Sequence, residues 1–60
     1  MTFTNYIVAI HRNDGVIELL GTLYDSEKEA DVQGKYWRTH MKNVKAVTVE
    51  TVTLDVKERA

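Results

Sequence analysis

The residue types able to do chemistry are few in this chain and widely spaced. It holds two histidines, His11 and His40, no cysteine, and a lone serine, Ser26. Without thiolates the cysteine-based zinc sites are excluded, and the histidines do not form the His-x-x-x-His spacing that sets two imidazoles on one helical face. Ser26 precedes Glu29 by three positions, the arrangement of a capping box, which commits its hydroxyl to a helix start rather than to nucleophilic attack. Asp25, Glu27, Glu29 and Asp31 cluster, but not at the ligand spacing of a calcium loop. Gly15, Gly21 and Gly34 lie too far apart to cradle a phosphate. These residues predict no catalytic set, no metal and no cofactor.

Features for binding are richer. Tyr36, Trp37 and Arg38 adjoin, and aromatic and arginine side chains dominate interface hot spots. Val32 and Tyr36, four apart, make a stripe beside the apolar one. With Glu29 from the acidic helix start and Arg38, they form the candidate partner-binding set. Lys35, Arg38, Lys42 and Lys45 would suit phosphates, but a net charge of −1 argues against affinity won by neutralising many of them. A protein partner is therefore expected first, and a nucleic acid second.

The elements that must carry these residues read as strand, turn, strand, helix, strand. Eight valines, three isoleucines and seven threonines among 60 residues favour sheet, because stiff branched side chains pack well on a pleated surface. Phe3 to Arg12 is the first strand and Val16 to Tyr24 the second, joined through Asn13-Asp14-Gly15. A two-residue Asp14-Gly15 turn places Arg12 opposite Ile17, Ile10 opposite Leu19 and His11 opposite Glu18, with one face almost wholly apolar. A three-residue loop shifts the register by one and mixes the faces, so the two-residue form is preferred.

Beyond Ser26 a helix runs to Lys42, with Ala30, Gly34, Trp37 and Met41 on one stripe. Acids at its start and bases towards its end complement the helix dipole. Gly34 inside the stripe implies close approach of helix and sheet. Val44 to Lys57 is β-prone, yet its alternation changes phase between Val47/Val49 and Val52/Leu54/Val56. Either a bulge near Glu50-Thr51 restores one face, or the second half serves a different surface. Glu58 to Ala60 should fray.

This order predicts one α+β domain over residues 1–60, ββαβ, with a three-stranded antiparallel sheet of order 2-1-3 and one helix on one face. The expected helix-side core is Tyr6, Val8, Ile10, Ile17, Leu19 and Leu23 against Ala30, Trp37 and Met41. A chain of this size buries only about 60% of its unfolded surface. Lacking disulfides, it is expected to gain stability as a homodimer through Ile7, Ala9, Leu20, Val49, Val52, Leu54 and Val56, by sheet-face packing or by strand addition. The longest apolar run near the start, Tyr6 to Ile10, is far shorter than the roughly 20 residues of a membrane span, and no basic leader precedes it. No membrane association and a cytoplasmic location are expected.

The stretch from Asp14 to Ala30, DGVIELLGTLYDSEKEA, resembles the hairpin-then-helix of the AP2-like arm-type DNA-binding domains of integrases. That likeness implies a small DNA-binding module. Those domains set three strands before the helix and are strongly basic, whereas here a strand follows the helix, so no DNA-reading residues carry over. In size, lack of cysteine and element order the chain is also similar to small dimeric phage host-takeover and anti-defence proteins. That second likeness implies an inhibitor of a host enzyme or defence system.

Overall fold

A computed structural model describes residues 1–57; the fraying expected at Glu58 to Ala60 lies outside the described residues. Along the chain come β1 (Thr2–Arg12), β2 (Ile17–Leu19), α1 (Glu27–His40) and β3 (Val44–Asp55). The strands form one antiparallel sheet of order β2-β1-β3, with the helix packed against β1 and β3. This is the α+β arrangement and strand order that the sequence predicts.

Local chemistry sets the helix limits. Ser26 has extended backbone (φ −129°, ψ 148°) and its Oγ accepts from the Glu29 amide at 3.2 Å, satisfying a donor that the first turn leaves free. At the far end the Met41 amide donates to the Trp37 carbonyl at 2.8 Å. Asn43 then adopts φ 63°, a left-handed conformation that asparagine tolerates, and turns the chain into β3. The helix thus stops at His40, short of the expected Lys42.

The hairpin corrects the expected register. Arg12 N donates to Val16 O at 2.9 Å, Gly15 N donates to Arg12 O at 3.1 Å, and Gly15 has φ 89°. This is a three-residue loop closed by a left-handed glycine. Asp14 Oδ1 adds a bond from the Val16 amide at 3.0 Å. Ala9 therefore pairs with Leu19, Ile10 with Glu18 and His11 with Ile17, in place of the expected Ile10/Leu19 and His11/Glu18. Glu18 instead lies 3.8 Å from Arg12. The one-residue shift turns Ile17 and Leu19 away from the helix. Turn chemistry wins because the helix lies over β1 and β3, so turning β2 inward offers little burial.

The second strand is also shorter than expected. The Leu20 amide still donates to Val8 O, but Tyr6 next bonds Tyr24, at 2.9 and 2.8 Å. Residues 21–23 thus stand opposite Ile7 alone, and Leu23 is exposed rather than core.

β3 settles the phase change. Its pairing with β1 runs unbroken from Thr2↔Asp55 to His11↔Ala46, with an irregularity only between His11 and Arg12, where Lys45 is extra. No bulge occurs at Glu50-Thr51. Val47 and Val49, opposite Ile10 and Val8, lie under the helix, while Val52, Leu54 and Val56 project to the other side. The core is Ile7, Val8, Ala9, Ile10 and Ala30; Trp37 and Met41 only border it.

Gly34 does approach the sheet, but with room to spare. A Cβ there would meet Val47 Cγ1 at 3.6 Å and Val49 Cγ2 at 4.0 Å, which is ordinary contact. Gly34→Ala is expected to stabilise the fold by about 0.5–1 kcal/mol, since alanine suits a helix interior better. Thermal unfolding should show a midpoint several degrees higher; an unchanged or lower midpoint would mean that the helix cannot accept the methyl.

Candidate functional site

The sheet has two unlike faces. Strict alternation along β1 and β3 puts Val8, Ile10, Val47 and Val49 under the helix. Phe3, Ile7, Ala9, His11, Ala46, Thr48, Glu50, Val52 and Leu54 lie on the open face. Leu19 and Ile17 join them through their pairing with Ala9 and His11. Towards Met1 and Val56 the ribbon runs past both the helix and β2 and forms a two-stranded arm. Its last bonds join Met1 and Val56, the Met1 ammonium donating to the Val56 carbonyl at 2.9 Å and the Val56 amide to the Met1 carbonyl at 2.8 Å. The molecule is accordingly 48 Å long and 13 Å thick.

Apolar side chains are concentrated on that open face and left in contact with solvent. Met1 is 72% exposed, Phe3 46%, Ile17 59%, Leu19 58%, Leu54 43% and Val56 49%. The arm's opposite face carries Thr2, Thr4, Thr51, Thr53 and Asp55. The arm is thus amphipathic across its thickness.

The expected dimer residues do not all share this surface. Val52, Leu54 and Val56 stand on it together. Ile7 and Ala9 belong to the same face but are already buried within the chain. Val49 is under the helix, and Leu20, bonded to Val8, falls on the helix side as well. The residues missed were Met1, Phe3, Ile17 and Leu19. The last two would have been found by taking the three-residue loop, whose Asp14 and Gly15 provide its turn chemistry.

A polar chain crosses the open face beside the apolar residues. Thr48 Oγ1 donates to Glu50 Oε1 at 2.9 Å and lies 2.8 Å from His11 Nε2. A hydroxyl has one proton, and it is committed to Glu50. His11 Nε2 must therefore be the donor to Thr48. That direction is wrong for a histidine activating a threonine nucleophile, since the base would have to accept. The chain is a three-residue cross-strand network that ties β1 to β3.

The helix divides the expected partner-binding residues between two sides. Glu29 and Val32 line a shallow hollow with Tyr24, Lys28 and Gln33. Arg38 lies in a separate groove with Glu27, Asp31, Lys35 and the helix-facing part of β3. Tyr36, exposed, stacks on His40 with ring centroids 4.2 Å apart and meets Trp37 edge-on at 5.6 Å. His40 Nδ1 donates to the Tyr36 carbonyl at 2.8 Å, so this histidine closes the helix end. No helix among the described residues is long and apolar enough to cross a membrane.

No protein-family model, curated protein or solved structure matches the chain.

The proton order on the open face can be tested directly. Nitrogen-resolved NMR of neutral His11 should show the proton on Nε2. Thr48→Val should cost about 1 kcal/mol of stability by leaving Glu50 and His11 without their shared partner. A proton on Nδ1 would mean that the network runs the other way.

Proposed function

We propose that this protein is a small, non-enzymatic, homodimeric protein-binding module that acts by occluding its target. The observation that carries the reading is the apolar open face. At about 200 Å² for a large side chain, the exposed parts of its six most exposed apolar residues, Ile17 and Leu19 on β2 and Met1, Phe3, Leu54 and Val56 on the arm, together amount to on the order of 600 Å². That is the upper end of what a monomer shows to water, roughly 300–600 Å². It approaches the roughly 800 Å² per partner of a standard interface. The non-enzymatic part is supported by where the polar groups are spent: Ser26 in a cap, His40 on a carbonyl, Thr48 donating away from His11. The homodimer is supported by the small core and by a long edge strand in need of a neighbour.

The target is a protein rather than a nucleic acid, in keeping with an open face whose charged groups are few and with a net charge of −1. The likeness in size and element order to phage host-takeover proteins supports an inhibitor of a host enzyme or defence system, working in the host cytoplasm.

Three measurements test this. Light scattering at micromolar concentration should give twice the chain mass; a monomer would end the dimer claim. Capture from bacterial lysate should recover a partner that is lost with the Phe3→Asp/Leu54→Asp variant. Titration with duplex DNA should show weak binding at physiological salt; useful affinity with a steep salt slope would replace the protein partner with DNA.

A further inference from the structure

The free edge of β3 and the helix flank beside it carry more information than the homodimer reading uses. In an antiparallel pair, alternate residues bond the neighbour and the others turn their N–H and C=O outward. Met1 and Val56 exchange bonds, so the even-numbered residues of β3 bond β1 through the unbroken register. The same parity holds on the other side, where Tyr6, Val8 and Arg12 of β1 bond the returning chain. Val47, Val49, Thr51, Thr53 and Asp55 therefore direct their backbone groups to the open edge. Among the described residues no strand pairs with that edge, and neither proline nor bulge interrupts it there.

Above this edge lies a groove walled by Glu27, Asp31, Lys35 and Arg38 of the helix and floored by residues 47–49. The four charged side chains are exposed and run acid, acid, base, base. Such a stripe is complementary to itself when reversed. Lys35 meets Asp31 within the helix only at 4.0 Å, a separation worth little at the surface.

We infer that the homodimer forms by antiparallel pairing of β3 with β3 of a second copy, the two helices lying side by side with Glu27 and Asp31 of each facing Arg38 and Lys35 of the other. This rests on the homodimer reading and specifies its surface. A two-fold axis at the strand junction reverses one helix against the other, which is the operation that the charge order requires. The position of the axis follows from Gly34, which sits near the middle of the stripe and against Val47 and Val49. With Val49 opposite its own copy, Thr48 faces Glu50 and Val47 faces Thr51. An axis at Glu50 would instead set two carboxylates directly opposite, an unfavourable cross-strand pair.

Odd residues then face odd residues, so both helices lie on one side of a six-stranded sheet. The open faces of the two copies join on the other side into one apolar surface for the target. Dimerisation and target binding use different surfaces.

Charge exchange tests this. Lys35→Glu/Arg38→Glu makes the stripe wholly acidic, and Glu27→Lys/Asp31→Lys makes it wholly basic. Each variant alone should dimerise at least about tenfold more weakly than the wild type, because like charges now oppose. An equimolar mixture should form the mixed dimer, seen by native mass spectrometry. Thr51→Pro removes an outward N–H without touching the β1 ladder; it should keep the circular dichroism of the wild type and be monomeric. If the wild type is dimeric but the variants dimerise as well as it does, the edge assignment fails and the homodimer stands. A monomeric wild type overturns both.

Discussion

The structure depends on a mismatch of lengths. A 14-residue helix extends about 21 Å at 1.5 Å per residue. The 12-residue β3 extends about 40 Å at 3.4 Å per residue. One helix can therefore roof only half of the ribbon that β1 and β3 make. Under the roof, Val8, Ile10, Val47 and Val49 pack towards Ala30 and Gly34. Beyond it, the same two strands continue with no other described element above them, and alternation sends Phe3, Val52, Leu54 and Val56 to the other face. The phase change in β3 marks where the roof ends.

β1 holds both halves together because it is paired on both sides. Its even residues bond the returning hairpin and its odd residues bond β3. Ile7 to Ile10 are buried as a continuous run, the pattern of a strand covered on both faces: Val8 and Ile10 lie under the helix, and Ile7 and Ala9 are shielded within the chain on the other face. β2 contributes little more than that edge cover. Its three residues are all exposed, and Ile17 and Leu19 add to the apolar open face rather than to the core.

Element order, strand order and the helix start were legible because each rests on local chemistry. Ser26 and Glu29 announce a cap, Asp14 and Gly15 a turn, and a run such as Tyr6 to Ile10 a buried strand. The hairpin register was not legible from hydrophobic segregation, since that argument assumes the helix covers the hairpin. It covers β1 and β3 instead, and the loop then follows its own turn geometry. Val49 and Leu20 were assigned to the open face for a related reason: parity had to be counted from the true loop and from the unbroken β3 ladder. The site was legible in part: Val52, Leu54 and Val56 share a surface, whereas the charge stripe from Glu27 to Arg38 reads along the sequence only as dipole complementarity. It acquires a second meaning once the fold sets it over a free strand edge.

The arm raises an energetic question that the proposed assembly would answer. Ordering each backbone residue costs about 1–2 kcal/mol, and burial of a large aliphatic side chain returns about 1.5–3 kcal/mol. Beneath the helix that exchange is favourable, with Val8 and Ile10 fully buried. In the arm, Met1, Phe3, Leu54 and Val56 are ordered while remaining well exposed, and a two-stranded ribbon alone is marginal in water. Under the proposed pairing, β3 of the second copy bonds the free edge of the arm near Thr51 and Thr53 and converts two strands into three. The target would then cover Phe3 and Leu54. Folding of the arm, dimerisation and target binding thus become linked equilibria, each drawing stability from surface that the preceding one leaves exposed.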